Sequence, residues 1–339
     1  MGLMKSSNFI PNTNNITSNS YLDLNNNKVP YLEVDPENST KDFEVILFHG
    51  ASPYGEEHPS MINLALALAN CGIKVYIPKL TKLTKLEITK ETIDLILHFY
   101  LLIKKNSPQT NIIPAGISFG GGLLLKAMIK KESQKYTPKS ILTYGTYFSL
   151  ETSIDFLLTG KINNEGNEEY VKPNDWGLIV LFHNYLSGIK TGFDTEQMQK
   201  VLKLRVENLV SESEKEFEKL PKFQQNILID IYNSNQTEDI IKMMEEMKKV
   251  FKKEMKEVSP SEICNKINFK VFLMHGANDS MVPYTESIKL HKNLNNSLLF
   301  LSGLYEHREI STGNSILQKF GELKRMSNFF TKFMDYNEN

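Results

Sequence analysis

The sequence predicts an α/β protein, with a doubly wound, mostly parallel sheet into which a helical cap is inserted. Three observations carry this prediction. Short apolar runs of strand length alternate with segments of helical periodicity over residues 28–147 and again over 264–339, as expected for strands joined by crossover helices. Between them, residues 148–263 hold helical periodicity and no clear strand. An apolar run, 112–117, also meets a helix-like segment through the glycine-framed turn Gly116-Ile117-Ser118-Phe119-Gly120.

Each element follows in order. Residues 1–27 form a tail; from Ser6 to Asn27 it is rich in Asn, Ser and Thr, a composition that buries little and suits a mobile arm or an edge strand. Residues 31–34 and 44–48 read as strands, 60–69 as a helix and 74–78 as a strand. Next come a helix over 92–103, a strand over 112–117, a helix over 122–130 and a strand over 141–147. In the insertion, Met198, Val201, Leu202 and Leu209, then Ile240, Met243, Met244, Met247 and Phe251, recur at helical spacing. These methionines read as a packing face in a helical bundle or as part of an adaptable groove. The lysines of 242–256 alternate with glutamates, as on a solvated face. The most apolar part of the insertion, 177–186, follows the single tryptophan, Trp176. It is too short to span a bilayer and reads as a buried cap helix beside the pocket, with a lipase-like lid as the other reading. After the cap, residues 270–274 and 298–301 return as strands, followed by a last helix.

Composition narrows the function classes. With 339 residues and 40% hydrophobic content, the chain supports one large core plus an insertion. Lys and Arg number 39 against 40 Asp and Glu, a net charge of -1, so no global field favours nucleic acid or an anionic membrane. The two cysteines, Cys71 and Cys264, have neither metal spacing nor a disulfide framework; Cys71, at a helix end, reads as a small buried residue. No leading apolar run resembles a signal peptide or a membrane span, so a cytoplasmic protein without stable membrane insertion is expected. No cofactor or metal is expected.

The chemistry lies in three ordered motifs. Strand, sharp turn and helix around Gly116–Gly120 match a G-x-S-x-G nucleophile elbow. Its glycines allow close packing around a serine held in a strained backbone. Ser118 is therefore the candidate nucleophile, with the helix N-terminus behind it available to a developing negative charge. The strand at 270–274 runs into His275-Gly276-Ala277-Asn278-Asp279, which makes Asp279 the candidate orienting acid. The strand at 298–301 leads to Glu306-His307-Arg308, making His307 the candidate general base. Each has a plainer reading: Asn278-Asp279-Ser280 is ordinary surface-turn chemistry, and His307 suits a solvated loop. His291, at helical spacing, reads as a packed or exposed helix residue. His49 and His275, each in a His-Gly pair after a strand, read as structural side chains that shape the mouth of the site.

With Ser118, Asp279 and His307 in that order, the chain resembles the α/β-hydrolase superfamily, in its capped esterase, lipase or peptidase-like subset. His49-Gly50-Ala51-Ser52 is similar to the family's His-Gly turn after the third strand. The resemblance implies an oxyanion hole formed by the backbone N–H groups of Ala51 and Phe119, and a cap that shapes the substrate pocket. It further implies a serine hydrolase acting on a carboxylic ester or related small acyl substrate through an acyl-enzyme on Ser118. The same triad also serves peptide, thioester or carbon–carbon bond hydrolysis, and the fold has non-catalytic binding members.

Overall fold

Alternation along residues 43–48 sends Val45 and Leu47 to one side of a sheet and Ile46 and Phe48 to the other, and both sides are apolar because both are covered by helices. The computed structural model describes residues 15–303 and 316–338. Among these, the strands are β1 (Ile16–Leu22), β2 (Lys28–Val34), β3 (Phe43–Phe48), β4 (Val75–Pro78), β5 (Asn111–Ile117), β6 (Ser140–Tyr144), β7 (Lys161–Asn164), β8 (Asn167–Tyr170), β9 (Lys270–Gly276) and β10 (Ser297–Ser302). Eight of them form one sheet in the order β1-β2-β4-β3-β5-β6-β9-β10. β2 pairs antiparallel with both its neighbours, and the remaining pairs are parallel. The polar stretch before residue 28 thus contributes the edge strand β1.

The core helices are α1 (Pro59–Asn70), α2 (Thr81–Thr84), α3 (Lys90–Asn106) and α4 (Phe119–Ala127). The insertion then brings α5 (Leu150–Thr159), α6 (Asp175–Tyr185), α7 (Glu196–Val206), α8 (Val210–Glu218), α9 (Lys222–Asn233), α10 (Glu238–Val250) and α11 (Lys252–Val258). The chain closes with α12 (Thr285–Asn293) and α13 (Ile316–Glu338). Apolar side chains of α3, α4 and the inserted helices join one cluster, and those of α1 and α13 join a second on the opposite face of the sheet. In the second, Phe272 meets Phe329 and Phe333 edge-on at 5.9 and 5.2 Å, an arrangement that ring quadrupoles favour.

Three features differ from the sequence expectation. The insertion contains a hairpin, β7–β8, turning over Glu165 and Gly166 at φ 54° and 91°, as a two-residue hairpin loop with both φ positive requires. Only Ile162 of β7 is buried and all of β8 is exposed, so no apolar alternation announced it. Helix α4 begins directly after Ser118, at Phe119, three residues before the expected start at 122. Cys71 is exposed rather than buried, because it lies just past the end of α1 while Leu68 and Ala69 take the inward positions. Among the described residues, no helix is long and apolar enough to cross a membrane.

Candidate active site

Parallel register brings the key turns level. β3 and β5 pair from Phe43 opposite Asn111 to Phe48 opposite Gly116, so the next turn of each chain sets Gly50 beside Ser118. A Cβ on Gly50 would lie 2.9 Å from Ser118 Cβ, closer than side-chain atoms pack, so this approach requires glycine. Ser118 has φ 52° and ψ −126°, a conformation costing roughly 1–3 kcal/mol for a residue with a side chain. Its backbone is pinned on both sides: the Ser118 N–H donates to Tyr144 O at 2.8 Å, and Ser118 O accepts from the Gly121 N–H at 3.0 Å. Gly120 allows α4 to pass the β3 turn, since a Cβ there would stand 2.3 Å from the His49 carbonyl oxygen.

Two backbone donors flank the serine. Phe119 is the first residue of α4, so its N–H has no intrahelical acceptor. Among the described residues the Ala51 N–H makes no backbone hydrogen bond either. The β3 turn that presents Ala51 is held by His49, which is buried. His49 Nδ1 donates to Gly50 O at 2.7 Å, while Nε2 accepts from the Leu80 N–H at 2.9 Å. This pairing defines the neutral Nδ1–H tautomer, and burial lowers the imidazole pKa to about 4.

Asp279 is not a surface turn residue. It is only 1% exposed, and Oδ1 accepts from the backbone N–H groups of Met281 and Val282 at 2.8 and 2.9 Å. Its Oδ2 lies 3.4 Å from His275 Nε2. That nitrogen donates to Val282 O at 2.9 Å, while Nδ1 accepts from the Ser287 hydroxyl at 2.7 Å. His275 is thus fully buried between β9 and α12, bracing the Asp279 loop rather than shaping the mouth of the site. His291 is exposed on α12, with Nδ1 paired to Ser297 Oγ at 2.7 Å. His307 lies outside the described residues; Gly303, the last described residue before it, leaves the same carboxyl edge of the sheet that Ser118 and the Asp279 loop occupy.

A cavity of about 640 Å³ opens on Ser118, Phe119, Gly50 and Ala51. Ile154 and Leu157 of α5 and Trp176, Val180 and Leu181 of α6 roof it, and Met281 of the Asp279 loop closes one side. The most apolar stretch of the insertion is accordingly a buried cap helix over the cavity. A second wall was not foreseen: Met61 and Leu64 of α1 and Met326 and Phe330 of α13 also border the space. Their spacing shows in the sequence only as ordinary core periodicity. Among the described residues, no group of three or more His, Cys, Asp or Glu is placed to hold a metal ion.

No protein-family model matches the sequence, and no curated protein matches it. Solved structures do. An acylaminoacyl peptidase from Pyrococcus horikoshii superposes with a TM-score of 0.52 at 13% identity over 95% of this chain and 41% of that one. An esterase from Pyrococcus furiosus superposes with a TM-score of 0.50 at 15% identity over 94% of this chain and 91% of that one. The chain therefore spans about two fifths of the peptidase's length, and at these identities the likeness is one of fold.

Proposed function

We propose that this chain, which has the α/β-hydrolase fold with an inserted helical region, is a serine hydrolase that cleaves a carboxylic ester or related small acyl substrate through an acyl-enzyme on Ser118. One observation carries the reading: a serine held at positive φ on the carboxyl end of β5, pressed against Gly50 and facing a cavity between two backbone donors. Strain of that kind persists where function requires it, which favours catalysis over a binding role for the fold.

In this mechanism His307 takes the Ser118 hydroxyl proton as Oγ attacks the acyl carbonyl, and Asp279 orients the imidazole and offsets its charge. The carbonyl oxygen becomes an oxyanion between the Ala51 and Phe119 N–H groups, each such donor contributing about 3 kcal/mol to lowering the barrier. His307 returns the proton to the leaving group, and water activated by the same imidazole then releases the acyl group. Peptide, thioester or carbon–carbon cleavage uses the same groups. With no Asp, Glu, Lys or Arg among the described cavity-lining residues, the site favours an uncharged substrate over one carrying a charged group.

The test is covalent. A fluorophosphonate is expected to label wild-type protein at Ser118 and to leave Ser118→Ala unlabelled. Hydrolysis of p-nitrophenyl esters should vanish in Ser118→Ala and nearly vanish in His307→Ala, with a smaller loss in Asp279→Asn. Equal hydrolysis by wild type and a folded Ser118→Ala variant would remove the mechanism.

A further inference from the structure

We infer that the space between α1 and α13 is a channel for an extended aliphatic chain of the ester whose carbonyl sits at Ser118; this rests on the function proposed above. The floor of the channel is the sheet face shared by β5 and β6. Central strands normally have their helix-facing side chains sealed, and lower on this face Ile113 and Phe272 are 0% and 1% exposed. Nearer the carboxyl edge, Ile117 and Leu142 on the same face are only half-buried, although β5 and β6 are both interior to the sheet. Among the described residues, packing leaves this part of the sheet partly uncovered.

The walls have one chemistry. α1 starts at the edge where Ser118 stands and runs back along the sheet, presenting Met61, Leu64, Ala67 and Leu68 to the space and ending at Cys71. From Ser60 to Cys71 this wall is about 16 Å long. α13 faces it with Met326, Phe330 and Met334, one per turn along a single face. Because no Asp, Glu, Lys or Arg appears among the described lining residues, a charged ligand group would lie there without a partner, which is costly. An uncharged chain loses nothing. Methionine side chains along both walls suit a flexible occupant whose position varies along its length. The space is continuous with the cavity that Ser118 borders, so a chain lying in it is joined to a carbonyl at the serine.

Either half of an ester can supply such a chain, and two substrate series separate the sources. For p-nitrophenyl esters from acetate to dodecanoate, kcat/KM is expected to rise about fourfold per methylene until the channel is filled, if the chain is acyl. A rise confined to alkyl acetates of growing alcohol length would assign the chain to the alcohol side. Narrowing the channel with Ala67→Phe or Leu64→Trp should lower the decanoate-to-acetate ratio of kcat/KM at least tenfold, or the corresponding alkyl-acetate ratio. A second readout needs no catalysis: in Ser118→Ala, decan-1-ol should shield the exposed thiol of Cys71 from maleimide, and butan-1-ol should not. Flat chain-length profiles in both series without shielding, alongside Ser118-dependent hydrolysis of short esters, would overturn the channel and leave the serine mechanism standing. Shielding in a protein that hydrolyses no ester would overturn the serine mechanism and with it the channel's role in binding substrate.

Discussion

His49 sets how the cavity mouth responds to acid. Its Nε2 lone pair is already engaged by the Leu80 N–H, so protonation would set two N–H groups against each other in a buried place. The folded chain therefore resists the proton down to about pH 4, whereas an unfolded histidine accepts it near 6.5. The sign follows from linkage: between these values the unfolded state binds more protons, so stability is present above 6.5 and is lost as pH falls toward 4, by up to about 1.4 kcal/mol per pH unit. Urea unfolding at pH 7 and pH 5 should show this loss in wild type and a shallower loss in His49→Gln; identical pH slopes would refute the assignment. At this scale the sequence was informative about the strained turn at Ser118, because the elbow pattern is local in the chain. It was silent on the tautomer of His49, which depends on a partner 31 residues away.

Among the elements, one buried side chain gathers several of the hydrogen bonds at the joint between core and cap. Glu286, on α12 and fully buried, accepts from the backbone N–H groups of Phe148 and Ser149 at 3.0 Å each, from Thr152 Oγ1 at 2.8 Å and from Lys289 Nζ at 2.6 Å. Ser149, the N-cap of α5, makes no side-chain capping bond of its own. The carboxylate of Glu286 takes that role from another element, where the positive end of a helix favours negative charge. Glu286→Ala leaves these donors unpaired in the interior and is expected to cost about 2–4 kcal/mol in urea unfolding; a change under about 0.5 kcal/mol would show that water replaces the carboxylate. A glutamate on a short amphipathic helix reads as solvent-facing, so periodicity could not reveal it. The β7–β8 hairpin escaped for the opposite reason: its strands lie on the surface, and without a buried face there is no alternation to read.

Across the whole molecule, the described residues form two apolar clusters, and the larger does not stop at the boundary of the insertion. Phe48 of β3 and Leu123 of α4 share it with Leu157, Leu181 and Met244 of the inserted helices. A core continuous across both parts predicts unfolding in one cooperative step. Trp176, the only tryptophan, lies in the insertion, so its fluorescence reports on the cap alone while far-ultraviolet circular dichroism reports on all helices. The two transitions are expected to coincide in urea, and a tryptophan transition at distinctly lower urea would mean that the cap melts by itself.

Apolar period, glycine position and motif order determined the parallel sheet, its elbow at Ser118 and the helical nature of the insertion, because strands and crossover helices each carry their own repeat within a dozen residues. Tertiary structure alone decided that Gly50 presses on Ser118, that Asp279 is buried against His275, that Glu286 caps a distant helix, and that Met61 of α1 and Phe330 of α13 border the same cavity as Ser118. Each of these is a meeting of side chains remote in sequence. Local periodicity states which face of an element turns inward, and only the packed structure states what that face meets.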